Sequence, residues 1–161
     1  MSTITTFLQK DRVRCDCLFQ AADDAVRRQF WRKAGPAIDR FASALNRHLA
    51  MEEDVLFTAL AQYTGEAGKP VAVLLREHRQ LRQLAIRARS AVRRRNAREF
   101  TDVAAGLQCA MEDHCMKEEG VVLAMADHFL RPAARFLVEA MQSLRQEARL
   151  DPIVPGTARA T

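Results

Sequence analysis

His48-Leu49-Ala50-Met51-Glu52-Glu53-Asp54-Val55-Leu56-Phe57 is the stretch from which the rest of the sequence can be read. On a helix, His48, Glu52 and Val55 or Leu56 fall on one side. Ile38, Phe41 and Leu45 precede them on that side and Ala59 follows. A carboxylate and an imidazole one turn apart therefore occupy an apolar stripe, where an unpartnered carboxylate costs several kcal/mol.

The pattern returns twice. His114-Cys115-Met116-Lys117-Glu118 sits in a stripe of Phe100, Val103, Leu107, Met111, Val121 and Met125, and His78 sits among Val71, Leu74, Leu81, Ala85 and Val92. One His-x-x-x-Glu is common on exposed helices and would mean little. Two on apolar stripes, with a third His on the helix between them, direct five metal-binding groups into one core. Burying Glu52 and Glu118 together demands a positive charge between them, because like charges raise each other's pKa. One or two divalent or trivalent cations meet that demand. Imidazole with carboxylate suits iron, manganese or zinc, and a helix-bundle core is a usual place for a dinuclear carboxylate site.

Outward from these stretches, helical periodicity covers most of the chain. Ile4, Leu8, Arg12, Cys15, Leu18, Phe19 and Ala22 form a first stripe, which Ser2 or Thr3 can cap. A second helix is expected from about Trp31 to Gln62, with Gly35-Pro36 marking its first turn or a kink. A turn follows at Thr64-Gly65-Glu66-Ala67-Gly68-Lys69, with Pro70 at the start of the third helix. The third ends near Arg93-Arg94-Arg95-Asn96, and the fourth runs from about Ala97 to Asp127. After Pro132, Ala133 to Ala148 forms a shorter helix with Phe136, Leu137, Ala140, Met141 and Leu144 as its apolar side. No segment alternates with period two. The expected fold is all-α: one domain over residues 1–150, an up-down-up-down four-helix bundle with an additional short C-terminal helix, and a frayed tail at 151–161.

Composition narrows the function classes. The 161 residues are 48% hydrophobic and 28% charged, enough chain to bury a core without disulfide staples. Cys15, Cys17, Cys109 and Cys115 make no C-x-x-C pair, so an all-thiolate zinc site is not expected. No apolar run reaches the roughly 20 residues of a spanning helix, and the N-terminal segment lacks a basic start followed by an apolar core. A cytoplasmic protein with no membrane partner is expected. The net charge is +5, and Arg76, Arg79, Arg82, Arg87, Arg89, Arg93, Arg94, Arg95 and Arg98 crowd the third helix and its end. With Phe100 as the single aromatic there and no recognised motif, a solvated face is the ordinary explanation, and nucleic acid is not expected as a partner. His128, beside Asp127, lies on no stripe and reads as a surface residue.

The segments His48 to Phe57, Arg76-Glu77-His78 and His114 to Glu119, with Asp127, resemble the hemerythrin-like, HHE cation-binding proteins over about Phe7 to Leu130. The resemblance implies a four-helix bundle with a non-haem di-iron centre that binds oxygen, nitric oxide or peroxide, or that senses iron and redox state. It makes His48, His78 and His114 terminal ligands and Glu52 and Glu118 bridging carboxylates, with iron as the cofactor. It also expects a first-helix His directly after Asp11, where this chain has Arg12, although Asp11, Cys15, Asp16, Leu18 and Phe19 match.

Arg offers no lone pair and cannot ligate. Three outcomes stay open: metal still binds, with water, Asp16 or Cys15 filling the vacancy; one metal occupies the intact half; or no metal binds and Arg12 neutralises Glu52 or Glu118. Thr58, Ala124 and Leu123 depart further from the family's pattern. The leading expectation is a metal-binding or sensor protein for a small diatomic or redox ligand rather than an enzyme. The alternative is a metal-free bundle acting as a binding module through its Arg-rich third helix. Homodimerisation through an exposed part of the fifth helix is an open alternative, although amphipathic helices mostly bury that side within their own chain.

Overall fold

The computed structural model describes residues 3–64 and 68–147. Five helical rods account for almost all of them. Helix α1 is Ile4–Arg27. Helix α2, residues 31–64, is α-helical over Trp31–Ala50, π-helical over Met51–Phe57 and α-helical again over Thr58–Thr64. Helix α3 is Gly68–Arg93. Helix α4, residues 97–129, repeats the design of α2: Ala97–Lys117 is α-helical, Glu118–Leu123 π-helical and Ala124–Phe129 α-helical. A single 3-10 turn, Arg131–Ala133, leads into α5, Ala134–Glu147. Neighbouring helices run antiparallel, and α5 packs against α1 and the π-helical stretch of α2. No helix among the described residues is long and apolar enough to cross a membrane.

Local chemistry sets the boundaries. Thr3, not Ser2, caps α1, its hydroxyl accepting from the Thr6 amide at 3.0 Å, and Asn96 caps α4 through the Glu99 amide at 3.1 Å. Helix α2 continues through Pro36, beyond its first turn. Helix α3 begins two residues before Pro70, which sits in the first turn, where a missing N–H costs nothing. The middle of the turn between α2 and α3, and the tail 151–161 expected to fray, lie outside the described residues.

The interior consists of two hydrophobic clusters. One, at the end holding the α1–α2 and α3–α4 loops, contains Phe19, Ile38, Phe41, Leu45, Phe100 and Leu107, with the Phe19 and Phe41 rings tilted at 5.0 Å. The other, built on Leu8, Leu56, Leu74, Leu123, Leu137 and Met141, lies at the opposite end under α5. Burying each such side chain stabilises by about 1.5–3 kcal/mol. Polar residues form the layer between the clusters.

Two expected core positions are wrong. Phe136 is 72% exposed, and Val138 is buried in its place. Val121 is 43% exposed, whereas Val122 and Leu123 are buried. The second error follows from the π-helical stretch after Lys117: its wider turns shift the register by about one residue, which sequence periodicity assuming a regular α-helix does not reveal.

Candidate metal centre

His48, Glu52, His78, His114 and Glu118 all reach the polar layer, and each is at most 5% exposed. All five residues singled out on the three stripes are thus buried, and three of them, Glu52, His78 and His114, converge as a possible ligand group. Glu52 lies at the centre. Its Oε1 is 2.7 Å from His48 Nε2, while Oε2 is 2.9 Å from His78 Nε2 and 3.6 Å from His114 Nε2. One ligand atom each from Glu52, His78 and His114 lie within 4.8 Å of one another. The His78 and His114 rings meet edge-on at 4.8 Å, and Phe57 stacks on His78.

These atoms stand at ion-pair distances but make no well-aligned hydrogen bond among themselves. Both Glu52 oxygens, His78 Nε2, His114 Nε2 and Glu118 Oε1 are buried and lack an aligned hydrogen-bond partner. Five such buried polar atoms in one polar layer are unusual in folded proteins, since a buried polar group left without a hydrogen bond costs about 1–3 kcal/mol. A cation accepting lone pairs from Glu52, His78 and His114, whose ligand atoms lie within 4.8 Å of one another, removes much of that penalty. The donor set, imidazole nitrogen with carboxylate oxygen, fits iron, manganese or zinc.

The outer nitrogens of the same rings are fully engaged. His48 Nδ1 donates to Asp11 Oδ2 at 3.2 Å, His78 Nδ1 to Glu53 Oε1 at 2.7 Å, and His114 Nδ1 to Glu77 Oε2 at 3.2 Å. Each carboxylate is held in turn by a cation nearer the surface. Arg14 reaches Asp11 at 2.9 Å, Arg82 grips Glu53 through two nitrogens at 2.7 and 3.1 Å, and Lys117 pairs with Glu77. These three relays fix the tautomer that leaves every Nε2 free to ligate. Asp11, Glu53, Glu77 and Lys117 entered the sequence reading only as parts of the matching segments and Arg82 only as part of the Arg-rich face; neither they nor Arg14 were given this role. For Glu53 and Glu77, adjacency to a ligand residue was the available signal.

The site repeats itself. Asp11 and His48 are 37 residues apart, as are Glu77 and His114. Glu53, next to Glu52, reaches His78; Glu119, next to Glu118, reaches Arg12, whose Nη1 lies 2.6 Å from Glu119 Oε1. Arg12 therefore stands where the repeat would place a histidine, and Glu119 holds it as Glu53 holds His78. The direct bond of Arg12 is to Glu119 at the partly exposed rim rather than to Glu52 or Glu118, though its charge still acts on Glu118. Of the two side chains considered for the vacancy, Asp16 is exposed. Cys15 is buried but is not among the converging ligand atoms. It lines a cavity of about 20 Å³ together with Arg12, His48, His114 and Cys115.

Electrostatics divides the two carboxylates. Burial would raise Glu52, but the charge of His48 and the surrounding imidazoles hold it well below the usual range. Burial, then the charge of Glu52, pushes Glu118 up to about 8. Burial opposes a proton on His48, yet Glu52 and the Asp11 hydrogen bond raise it to about 10. Burial pushes the Cys15 and Cys115 thiols to about 12 and 11, so both are protonated rather than ready thiolate ligands. Without metal, protons on His48 and Glu118 take the place of the missing positive charge.

A family model, the hemerythrin HHE cation binding domain, matches residues 10–126. No curated protein and no solved structure matches the chain significantly.

Proposed function

This chain belongs to the hemerythrin HHE cation-binding domain family, and from that premise we propose that it is a non-haem iron protein that binds a small diatomic or redox ligand. The observation that supports it is the set of buried Glu52, His78, His114 and Glu118 atoms without an aligned hydrogen bond. His78, His114, Glu52 and Glu118 would hold one iron. His48 stands on the other oxygen of Glu52, where the repeat of the site would put a second ion, and Arg12 supplies no ligand there. We infer a single, asymmetric metal position. When bound, iron supplies an electron-donating centre for oxygen, nitric oxide or peroxide.

The chain's own residues set what reaches that centre. The cavity beside it has room for about one water-sized group, and Leu45, Leu49, Leu81 and Met111 wall it. So small a cavity suits a diatomic ligand better than an organic substrate, which favours ligand binding or sensing over oxidation of a metabolite. Arg12 on the cavity wall favours a ligand that carries or gains negative charge.

Metal analysis of protein purified anaerobically under reducing conditions, with absorption spectra before and after exposure to air or nitric oxide, tests the function. Bound iron and a spectral change on exposure support it. A chain that takes up no iron, or loaded protein whose spectrum neither gas alters, would reject it.

A further inference from the structure

The loops joining α1 to α2 and α3 to α4 meet at the end of the bundle far from α5, and they frame two adjoining grooves of about 590 and 470 Å³ that share Phe30, Arg32 and Lys33. Arg28, Arg32, Lys33, Arg40 and Arg95 line these grooves against one carboxylate, Asp24. Three further acids at this end are engaged elsewhere, Asp23 with Arg27, Asp39 with Arg89 and Glu99 with Arg94, while the exposed Asp102 lines neither groove. The sequence separates Arg95 from the 28–40 cations by more than fifty residues, and only the fold unites them. The aromatic group missing from the arginine run of α3 is supplied by Phe30 and Trp31 on the opposite loop.

Three positions around the smaller groove defy local preference. Gln29 and Arg95 adopt left-handed φ values of 56° and 54° at helix C-termini, where glycine is favoured. In each loop the next amide closes back on the helix, Phe30 N to Ala25 O and Asn96 N to Ala91 O. Phe30, 51% exposed, occupies the N-cap of α2 and offers no capping oxygen, where Ser, Thr, Asp or Asn would stabilise. These three departures meet at the smaller groove.

We propose that this end of the bundle binds single-stranded nucleic acid. Phosphates pair with the guanidinium groups of Arg28, Arg32, Arg40 and Arg95, and a base stacks on Phe30. Planar guanidinium forks match phosphate, and the face of the Phe30 ring away from Lys33, whose Nζ lies 5.7 Å from the centroid, stacks on any base, so recognition is tolerant of sequence. An acidic peptide would use the same charges and leave Phe30 idle.

Fluorescence anisotropy of a labelled oligothymidylate of about twenty nucleotides, titrated at several salt concentrations, tests the proposal. The full chain binds it, and affinity falls linearly on a log–log salt plot. Arg32→Ala with Arg95→Gly lowers affinity at least tenfold and flattens the slope by about 1.4, two contacts at about 0.7 each. Glycine at 95 also relieves the left-handed strain, so weakened binding cannot be blamed on unfolding. Phe30→Ala costs roughly fivefold or more with the slope unchanged. No anisotropy change at low salt, equal competition by polyglutamate of matched charge, or a Phe30→Ala variant that binds normally would each overturn the proposal.

Discussion

Arg12 occupies the place that His78 holds in the other half of the site, and one substitution separates the two. With Arg12→His, Glu119 is already positioned to orient the new ring, as Glu53 orients His78. Bound iron should rise from about one towards two per chain, the dinuclear capacity of a bundle core. Equal occupancy in both proteins would remove the inferred vacancy. Glu53→Gln keeps the volume but weakens the hold on His78 and frees Arg82, so iron affinity should fall about 10- to 100-fold, measured by competition with a chelator. Unchanged affinity would show that the relay does not tune the ligand. The five inward groups were legible in sequence because carboxylate and imidazole are out of place among Leu, Val and Phe. The relays were not, because Asp11, Glu53 and Glu77 find their imidazoles on other helices, 25 to 37 residues away.

Both helices that carry a His-x-x-x-Glu pair turn π-helical at the carboxylate, over Met51–Phe57 and Glu118–Leu123. The wider turns keep Glu52 and Glu118 inward and bring the buried residues after them to Leu56 and to Val122 and Leu123. In α2, the Thr58 hydroxyl donates to the Glu53 carbonyl at 3.2 Å, helping to satisfy the altered ladder; Ala124, at the matching position of α4, has no such group. Helix number, order and approximate ends were readable from apolar spacing and from Pro and Asn signals. The register change was not, because it depends on an interior that holds two carboxylates. Leu123→Ala should destabilise by about 2–5 kcal/mol in denaturant unfolding, whereas Val121→Ala should stay within about 0.5 kcal/mol. The reverse order would mean that α4 runs as a regular α-helix.

Across the whole molecule, two hydrophobic clusters flank a polar layer, so stability and metal loading are linked. In the metal-free protein, His48 and Glu118 keep protons in the folded state to about pH 10 and 8, above their ordinary values of 6.5 and 4.5. Their contribution is full below those ordinary values and is lost as pH rises through the folded ones. Asp11, Glu52, Glu53 and Glu77 are shifted the opposite way, and their contributions are lost on the acid side. The melting temperature of metal-free protein should therefore fall between about pH 6 and pH 10, while loaded protein, whose cation displaces those protons, should change far less. A metal-free protein that grows more stable across that range would contradict the protonation pattern. The most direct measurement is anaerobic calorimetric titration of metal-free protein with ferrous ion in two buffers of different ionisation enthalpy. Saturable binding at about one ion per chain, with proton release and with loss of binding in Glu52→Gln, is the predicted result. No saturable heat, or the same binding in Glu52→Gln, would contradict a cation held at the centre of this bundle.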